Sequence, residues 1–293
     1  MYSFGSKHIL DKTREKGAEI NIIACFEKGI GASRLRPLYK ELAPFYEALE
    51  ERDYEAELTL IDTELKRYGC KTVIDLGCGT GLHVRELAKR GYEAWGVDIS
   101  SHMIRTAKRL ARGVAKAKFI VADYYSYRAP KKFDCALCLN WSIPVNTRDL
   151  GRFFKNTARL LKPGGVLLID YEKPDDIVWE DVGKPVIDYW EFKGGKIVRV
   201  SVGQIRENVM RSRDVYVVFG SSRMFMPPSE RERYLGRWAR ENVTAFLDVS
   251  YVRFYDPVEI EGEASRHGFR VDKVLTLPRK RGYKRLYSSL VRI

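Results

Sequence analysis

Residues 72–98 constrain the fold more than any other stretch, because two apolar runs flank a glycine-rich turn and a helical pattern. The first apolar run, 73–76, leads into three glycines at alternate positions, Gly77, Gly79 and Gly81. A helical pattern then extends to Arg90, and the second apolar run ends in a carboxylate at Asp98. This order of strand, glycine turn, helix, strand and acid predicts a unit that holds a nucleoside at the edge of a parallel sheet.

The glycine spacing distinguishes between nucleoside cofactors. Glycine permits positive φ and close approach of a ligand to the backbone, and a loop that opens a helix points free N–H groups at the ligand. The dinucleotide pattern G-x-G-x-x-G requires glycine at position 82 or 84, where this chain has Leu82 and Val84. The observed form is D-x-G-x-G-x-G, which disfavours NAD. A nucleotide fold that binds NAD, or that has lost its ligand, is the alternative.

Four ordered segments carry a family resemblance over roughly residues 70–172. VIDLGCGTG at 73–81 resembles the first motif of class I S-adenosylmethionine-dependent methyltransferases. FIVAD at 119–123, FDCALCLN at 133–140 and RLLKPGGVLLID at 159–170 resemble the third, fourth and fifth strands of that family. The resemblance implies an α/β fold with a Rossmann-like seven-stranded sheet, its last strand antiparallel and helices on both faces. It also implies S-adenosyl-L-methionine as the cofactor.

The same resemblance implies roles for residues around the nucleoside. Asp98 is expected to bind the ribose hydroxyls, and Asp123 to accept a hydrogen bond from the adenine amino group. Ile99 and Met103 are expected to line the adenine slot, and Tyr124 to supply a backbone contact.

The methionine half of the cofactor has its own implied contacts. Asp75 is expected to act through a bridging water or to support the loop. Residues expected along the methionine and ribose, or beneath the methionine near the methyl group, are Gly77, Cys78, Gly79, Leu139 and Asn140. Residues expected to close over the methionine carboxylate, with ordinary helix packing as the alternative, are Tyr46, Arg52 and Tyr54.

Methyl transfer by in-line displacement depends mainly on holding the nucleophile, methyl group and sulfur in line. A base is needed only for a protonated acceptor such as an amine. Candidate bases are His83, which is equally interpreted as a structural cap, and Asp170, Glu172 and Glu191. Candidate walls of the acceptor pocket are Trp141, Ser142, Tyr171 and Trp190. The aromatic faces of the two tryptophans and the tyrosine suit a cation.

An insertion separates the fifth strand from the last helix. Its β-branched and aromatic content alternates in part, and Gly194-Gly195 indicates a hairpin turn, so an antiparallel β subdomain is predicted. It would serve as an acceptor lid or as a dimer interface. The predicted organisation is an N-terminal helical segment at 1–56, a cofactor-binding core at 57–174, the insertion at 175–255 and the C-terminal part of the core at 256–293.

Shorter signals predict individual helices. The pattern indicates helices over 38–49, 54–68 and 80–90. Thr147 is expected to cap a helix that ends before Pro163. Asp256-Pro257 is expected to start the last helix, and Gly268 to end it.

The inserted strands lie at a position in the chain similar to that in one branch of the family, whose members methylate small molecules. This branch contains the glycine and sarcosine N-methyltransferases and the nucleotide-linked aminosugar N,N-dimethyltransferases. RDYEAE at 52–57 and the stretch 251–269 carry this resemblance. It implies a small-molecule acceptor methylated at nitrogen, or at oxygen. The first 35 residues depart from that branch, and so does the arginine-rich tail, which is the stretch from Pro278 to Ile293.

The composition fits a folded, cytoplasmic enzyme that is a monomer or a homodimer. The chain has 293 residues, of which 31% are charged and 45% hydrophobic, so it can form a large core. No apolar stretch approaches ~20 residues, and the start lacks the apolar core of a signal peptide. Cys135 and Cys138 form a lone C-x-x-C on an apolar strand, which favours core packing, with no metal and no disulfide. One glutamine and six asparagines, beside abundant Lys, Arg and Glu, are typical of a thermophile.

The net charge of +13 attracts anions, so a nucleic acid is a possible partner besides a small molecule. The stretch 199–240 holds nine arginines and no lysine, interleaved with aromatic residues. Arginine beside aromatic rings can grip phosphates or stack on bases, whereas a solvated surface is the simpler interpretation. Two alternatives to small-molecule methylation therefore remain, a methyltransferase acting on tRNA, rRNA or protein, and a protein that binds S-adenosylmethionine without transferring methyl.

Overall fold

A computed structural model describes the chain over 36–50, 53–140, 142–143, 149–177, 179, 182–192, 195–220, 243–278 and 284–293. Among the residues named above, Arg52, Trp141, Thr147 and Gly194 lie outside these ranges, as do the first 35 residues, residues 221–242 and residues 279–283 of the arginine-rich tail. No helix within these ranges has the length and apolar character needed to cross a membrane.

The main sheet is formed by seven strands. They are β1 (Thr72–Leu76), β2 (Glu93–Asp98), β3 (Ala117–Val121), β4 (Phe133–Cys138), β5 (Leu161–Tyr171), β10 (Phe269–Pro278) and β11 (Lys284–Arg292). Their order is β10-β11-β5-β4-β1-β2-β3. The pairs from β3 to β5 are parallel, whereas β11 is antiparallel to both β5 and β10. This arrangement confirms the α/β sheet that the resemblance implies.

The chain order reverses between β1 and β4, which are neighbours in the sheet. From β1 the chain runs outwards through β2 and β3, then returns to form β4 on the other side. In open α/β sheets, ligands bind beyond the carboxyl ends of the strands at such a point. The carboxyl ends of β1, β2 and β4 place Gly77, Asp98 and Asn140 at this edge.

Six α-helices belong to the described ranges: α1 (Tyr46–Leu49), α2 (Tyr54–Arg67), α3 (Leu82–Lys89), α4 (Ser101–Leu110), α5 (Leu150–Leu160) and α6 (Pro257–Arg266). Ser100 caps α4, and Asp256 caps α6 as predicted. The cap of α5 differs from the prediction, because the Asp149 carboxylate accepts a hydrogen bond from the Arg152 N–H at 2.9 Å.

The predicted helix over 38–49 is wrong for most of its length. Two 3-10 turns, Pro37–Tyr39 and Ala43–Phe45, precede the single α-helical turn of α1. Each turn has proline in its first two positions, at Pro37 and Pro44. Proline has no N–H to donate and its ring clashes with the preceding turn, so a continuous helix cannot pass through Pro44.

The insertion forms a separate antiparallel sheet, in the order β6-β7-β8-β9. Its strands are β6 (Pro185–Phe192), β7 (Gly195–Arg206), β8 (Val209–Gly220) and β9 (Val243–Arg253). One face, here called the inner face, carries Ile197, Tyr216 and Val218, which pack with Leu38 and Leu42. Residues 36–50, here called the bridging segment, therefore lie against this second sheet.

Candidate active site

The glycine loop between β1 and α3 adopts a conformation that requires its glycines. Gly77 has φ 81°, and a Cβ there would stand 2.6 Å from the Ser142 Oγ. Gly81, the N-cap of α3, has φ 75° and would place a Cβ 2.3 Å from a ring carbon of Phe119. No side chain caps α3, so the N–H groups of its first turn remain available to a ligand.

Asp98 is joined to this loop. Its Oδ2 accepts a hydrogen bond from the Gly79 N–H at 2.9 Å, and its Oδ1 accepts one from the Ser100 N–H at 2.7 Å. Burial raises the pKa of Asp98 to about 6, although both backbone donors oppose the shift. The carboxylate is thus held by backbone atoms at the mouth of the loop. No positively charged group is among the causes of its pKa shift.

The residues expected around the adenine lie at the ends of β2 and β3. Ile99 is 65% exposed, whereas Met103 is buried. The Asp123 side chain is exposed and accepts a hydrogen bond from the Tyr125 N–H at 2.9 Å. Tyr124 is buried, with its ring centre 4.9 Å from that of Tyr125. The structure therefore brings an exposed apolar side chain and an exposed acid to neighbouring strand ends.

The bridging segment covers the glycine loop. Glu47 accepts a hydrogen bond from the Thr80 hydroxyl at 2.7 Å and two from the Arg85 guanidinium at 3.0 and 2.7 Å. The Tyr46 ring approaches Gly79, where a Cβ would lie 3.9 Å from it. Tyr54, the half-buried first residue of α2, begins the next element.

The roles of Glu47 and Arg85 were not predicted from the sequence. They stand 38 residues apart, and no local pattern pairs them. A cluster of acids near Glu47 is the only signal that the sequence offers.

His83 lies below the loop between two carboxylates. Its Nδ1 is 3.6 Å from the Asp75 Oδ2, and its Nε2 is 3.5 Å from the Glu57 Oε1. Burial alone lowers the pKa of His83, but the two carboxylates outweigh it and raise that pKa to about 10. The imidazole is therefore charged at neutral pH, and in that state it cannot accept a proton.

The turn after β4 is held by the end of β5. Asn140 has φ 60°, a strained value for a residue other than glycine. Its N–H donates to the Asp170 Oδ2 at 2.9 Å, and Asp170 is fully buried. Leu139 is buried, and its carbonyl accepts a hydrogen bond from the Ser142 hydroxyl at 2.9 Å. Asp170 thus stabilises the turn that carries Asn140.

The remaining candidates from β5 and β6 occupy different surroundings. Glu172 is buried, and its carbonyl accepts the Tyr255 N–H at 3.0 Å. Tyr171 is 1% exposed and packs in the core of the main sheet. Trp190 is half-buried beside the bridging segment. Glu191 is exposed and pairs with Lys196 at 2.9 Å.

Charged side chains follow the inner face of the second sheet. Arg36 of the bridging segment donates to the fully buried Asp248 at 2.5 to 3.1 Å. Arg199 donates to Asp188 at 2.9 Å from its Nε. Asp214 lies directly opposite Asp248 in the strand register. The Ser212 hydroxyl donates to Asp214 at 3.1 Å. None of these acids was selected from the sequence, because their convergence depends on the register of the inserted strands.

Residues 73–165 match the family model described as a methyltransferase domain. This stretch of the chain is a methyltransferase domain. Among solved structures, the sugar N-methyltransferase KedS8 from Streptoalloteichus has a TM-score of 0.69 at 22% identity, covering 90% of this chain and 96% of that one. CalS10, an amino pentose methyltransferase from Micromonospora echinaspora, has a TM-score of 0.64 at 17% identity, covering 85% and 96%. The TM-scores show that these proteins share the fold of this chain, although few of their residues are identical.

The curated relatives are also methyltransferases. The glycine/sarcosine N-methyltransferase of Parasynechococcus marenigrum is 27% identical over 76% of this chain and 81% of its own length. The 2-methyl-6-phytyl-1,4-hydroquinone methyltransferase of Synechocystis is 33% identical over 41% of this chain and 40% of its own length. For the first four relatives, the match spans 40% to 56% of their length.

Proposed function

We propose that this protein uses S-adenosylmethionine to methylate a nitrogen atom of a small-molecule acceptor by in-line displacement. The observation that carries the proposal is Asp98, a carboxylate fixed by the N–H groups of Gly79 and Ser100 beside a loop that has no room for a side chain at Gly77 or Gly81. A carboxylate in that place suits two ribose hydroxyls. The exposed Asp123 and Ile99 suit an adenine ring, and the first turn of α3 supplies N–H donors.

The bound cofactor would supply an activated methyl group and, in the sulfonium, its leaving group. The chain would supply position and exclusion of water. The bridging segment, held by Glu47 to Thr80 and Arg85, covers the loop and would limit access of water to the methyl group. Asn140, fixed by Asp170, would border the line of transfer. Positioning of this kind contributes ~7–11 kcal/mol to lowering a barrier.

An amine acceptor is supported by the charge of the inner face. Asp188 and Asp248 each pair with an arginine, whereas Asp214 is 5% exposed and accepts from the Ser212 hydroxyl. Among the described side chains, these three acids and two arginines leave a surplus of negative charge on this face. An ammonium group would be attracted to such a wall, and an anionic acceptor would be repelled.

The proton released on N-methylation needs an acceptor. His83 is charged already, and Asp170 is engaged in holding Asn140. We therefore assign His83 and Asp170 to positioning. Glu172, which directly follows β5, remains as the candidate base.

The methyl-transfer proposal is tested by incubating the protein with S-adenosylmethionine labelled in the methyl group and with separate panels of amines, amino sugars, nucleotide-linked amino sugars and tRNA. We expect label to enter an amine, and Asp98→Ala to abolish the transfer. Label entering tRNA alone would overturn the small-molecule acceptor. Cofactor binding without transfer to any panel would favour a sensor protein.

We also infer that the protein works in the cytoplasm of an organism that grows at high temperature. The shortage of amide side chains and the excess of charged ones support growth at high temperature. The four described cysteines, Cys70, Cys78, Cys135 and Cys138, are free and buried, which suits a reducing compartment such as the cytoplasm. Cell fractionation tests the location, and a melting curve of the purified protein tests the thermal stability.

A further inference from the structure

A concave pocket of about 240 Å³ lies between α5 and the loop that follows β3. Four of the side chains that line it are cationic, and none is a carboxylate: Arg128, Arg152, Lys155 and Arg159. Ser126 and Tyr125 add hydroxyl groups to the same lining. The glycine loop and Asp98 do not contribute to it, so this pocket is separate from the proposed cofactor site.

The positive charge arises from the spacing of residues in α5. Arg152, Lys155 and Arg159 stand at positions i, i+3 and i+7, which fall on one face of a helix. They span roughly 10 Å along the helix axis. The sequence of α5, LGRFFKNTARL, contains no acid to compensate them. Like charges at this spacing destabilise a helix. A negative charge bound beside them would therefore stabilise α5.

The side chains that the structure describes do not provide that counter-charge. Within the described ranges, no ion pair joins any of these four cations to a carboxylate, whereas arginines elsewhere, such as Arg36, Arg85 and Arg253, pair with acids. The electrostatic field of the pocket is therefore uncompensated by described side chains. An anion from solution is the complement that this arrangement favours.

Arg128 is fixed in place by neutral groups. Its guanidinium donates to the Ser126 carbonyl at 3.2 Å, to the Tyr127 carbonyl at 3.1 Å and to the Asn156 side-chain oxygen. Asn156 is buried and donates in turn to the Tyr124 carbonyl at 2.5 Å. A guanidinium oriented in this way keeps its charge and loses little conformational freedom when it binds an anion.

We propose that this pocket is a phosphate-binding subsite for a small phosphorylated ligand. Arginine presents a planar fork of donors that matches phosphate oxygens, and the pocket offers three such groups with a hydroxyl beside them. Its volume is below the ~300–1,000 Å³ of sites that enclose a whole small molecule. The subsite therefore holds one phosphate or a diphosphate, and the remainder of the ligand projects from it.

Isothermal titration with sodium pyrophosphate tests the subsite without relying on methyl transfer. The variant is Arg128→Gln/Arg159→Gln. The matched control, Arg109→Gln/Arg112→Gln, removes the same charge from exposed positions in and just after α4. We expect the wild type to bind pyrophosphate with an affinity that falls with salt. The pocket variant should bind at least about tenfold more weakly, a loss of ~1.4 kcal/mol, and the control within about twofold of the wild type, a difference of ~0.4 kcal/mol.

Two further ligands separate the sources of the phosphate. Binding of ADP that requires the same two arginines would support a nucleotide as ligand, and binding of pyrophosphate alone would support the free anion. Equal weakening in both variants would overturn the proposal, because it would reveal attraction to net charge only. Binding of single-stranded RNA without binding of pyrophosphate would also overturn it. Melting curves establish that each variant is folded.

Discussion

The Asp98 Oδ2 lies 2.9 Å from the backbone nitrogen of Gly79, so the acid that ends β2 is bonded directly to the loop that follows β1. The two residues are 19 positions apart, and the strands β1 and β2 that precede Gly79 and end in Asp98 are parallel neighbours. This contact sets the carboxylate at the mouth of the loop. Ligand hydroxyls that bind there would meet an acceptor that is already oriented.

Cofactor affinity should depend on the protonation of Asp98. Its pKa is raised to about 6 in the free protein because it is buried. Only the ionised form accepts hydrogen bonds at both oxygens, so affinity for S-adenosylhomocysteine should fall as the pH drops below about 6. Asp98→Asn should bind at least ~10-fold more weakly at pH 8, since each bond to a charged group is worth ~1.5–3 kcal/mol. Calorimetry between pH 5 and 8 measures both effects. A midpoint near pH 6 that persists in Asp98→Asn would refute the assignment.

His83 should stabilise the fold as a cation. Its pKa is raised from the ordinary value of 6.5 to about 10 by Asp75 and Glu57. Its contribution to the free energy of unfolding should be complete below pH 6.5 and should be lost as the pH rises towards 10. His83→Gln should lower that free energy by ~3–5 kcal/mol at neutral pH, because it leaves two buried carboxylates. Urea unfolding at pH 6.5 and 10 measures this. His267→Gln, in a partly exposed pair with Glu263, is the control. A wild type whose stability is unchanged between these two pH values would contradict the cationic His83.

Arg36 should be needed chiefly because Asp248 is fully buried. Arg36→Gln should destabilise the protein by ~3–5 kcal/mol, since it leaves an uncompensated carboxylate. The double variant Arg36→Gln/Asp248→Asn should cost less than Arg36→Gln alone. In Arg36→Gln, stability should increase as the pH falls below neutral, because burial raises the pKa of Asp248 and its protonation removes the charge. Chemical denaturation of the wild type, Arg36→Gln, Asp248→Asn and the double variant forms a double-mutant cycle, and strictly additive costs would disprove the coupling.

Gly81 should be less tolerant of alanine than Gly113, although both have positive φ. At Gly81 a Cβ would collide with Phe119 at 2.3 Å, whereas at Gly113 nothing lies within 4 Å. Gly113→Ala should therefore cost only the ~1–2 kcal/mol of a left-handed residue, and Gly81→Ala should cost ~1–3 kcal/mol more. Melting temperatures measure the difference. Equal losses would indicate that backbone conformation alone requires the glycine.

The strand and turn pattern of the main sheet could be predicted because it is local. The apolar runs at 73–76, 133–140 and 159–170 and the glycine spacing are contiguous signals, and each coincides with an observed strand or turn. The bridging segment was predicted poorly, since Pro37 and Pro44 divide it into short turns.

The surroundings of the candidate site depend on contacts between distant residues. Arg36 and Asp248 are 212 positions apart, and their pairing requires the inserted sheet to be in place. His83 acquires its charge from α2 and β1 together, although the sequence indicates it only as a candidate base or a structural cap. Patterns of single residues predict strands, but burial and the partners of a charge arise from packing.

Calorimetric titration of the wild type with S-adenosylhomocysteine, and separately with NAD, at pH 8 tests the central claim most directly. We expect S-adenosylhomocysteine to bind in a one-to-one ratio and NAD not to bind, and we expect Asp98→Asn to abolish or strongly weaken the binding of S-adenosylhomocysteine. Binding of NAD, or binding of S-adenosylhomocysteine that is unchanged in Asp98→Asn, would contradict that claim.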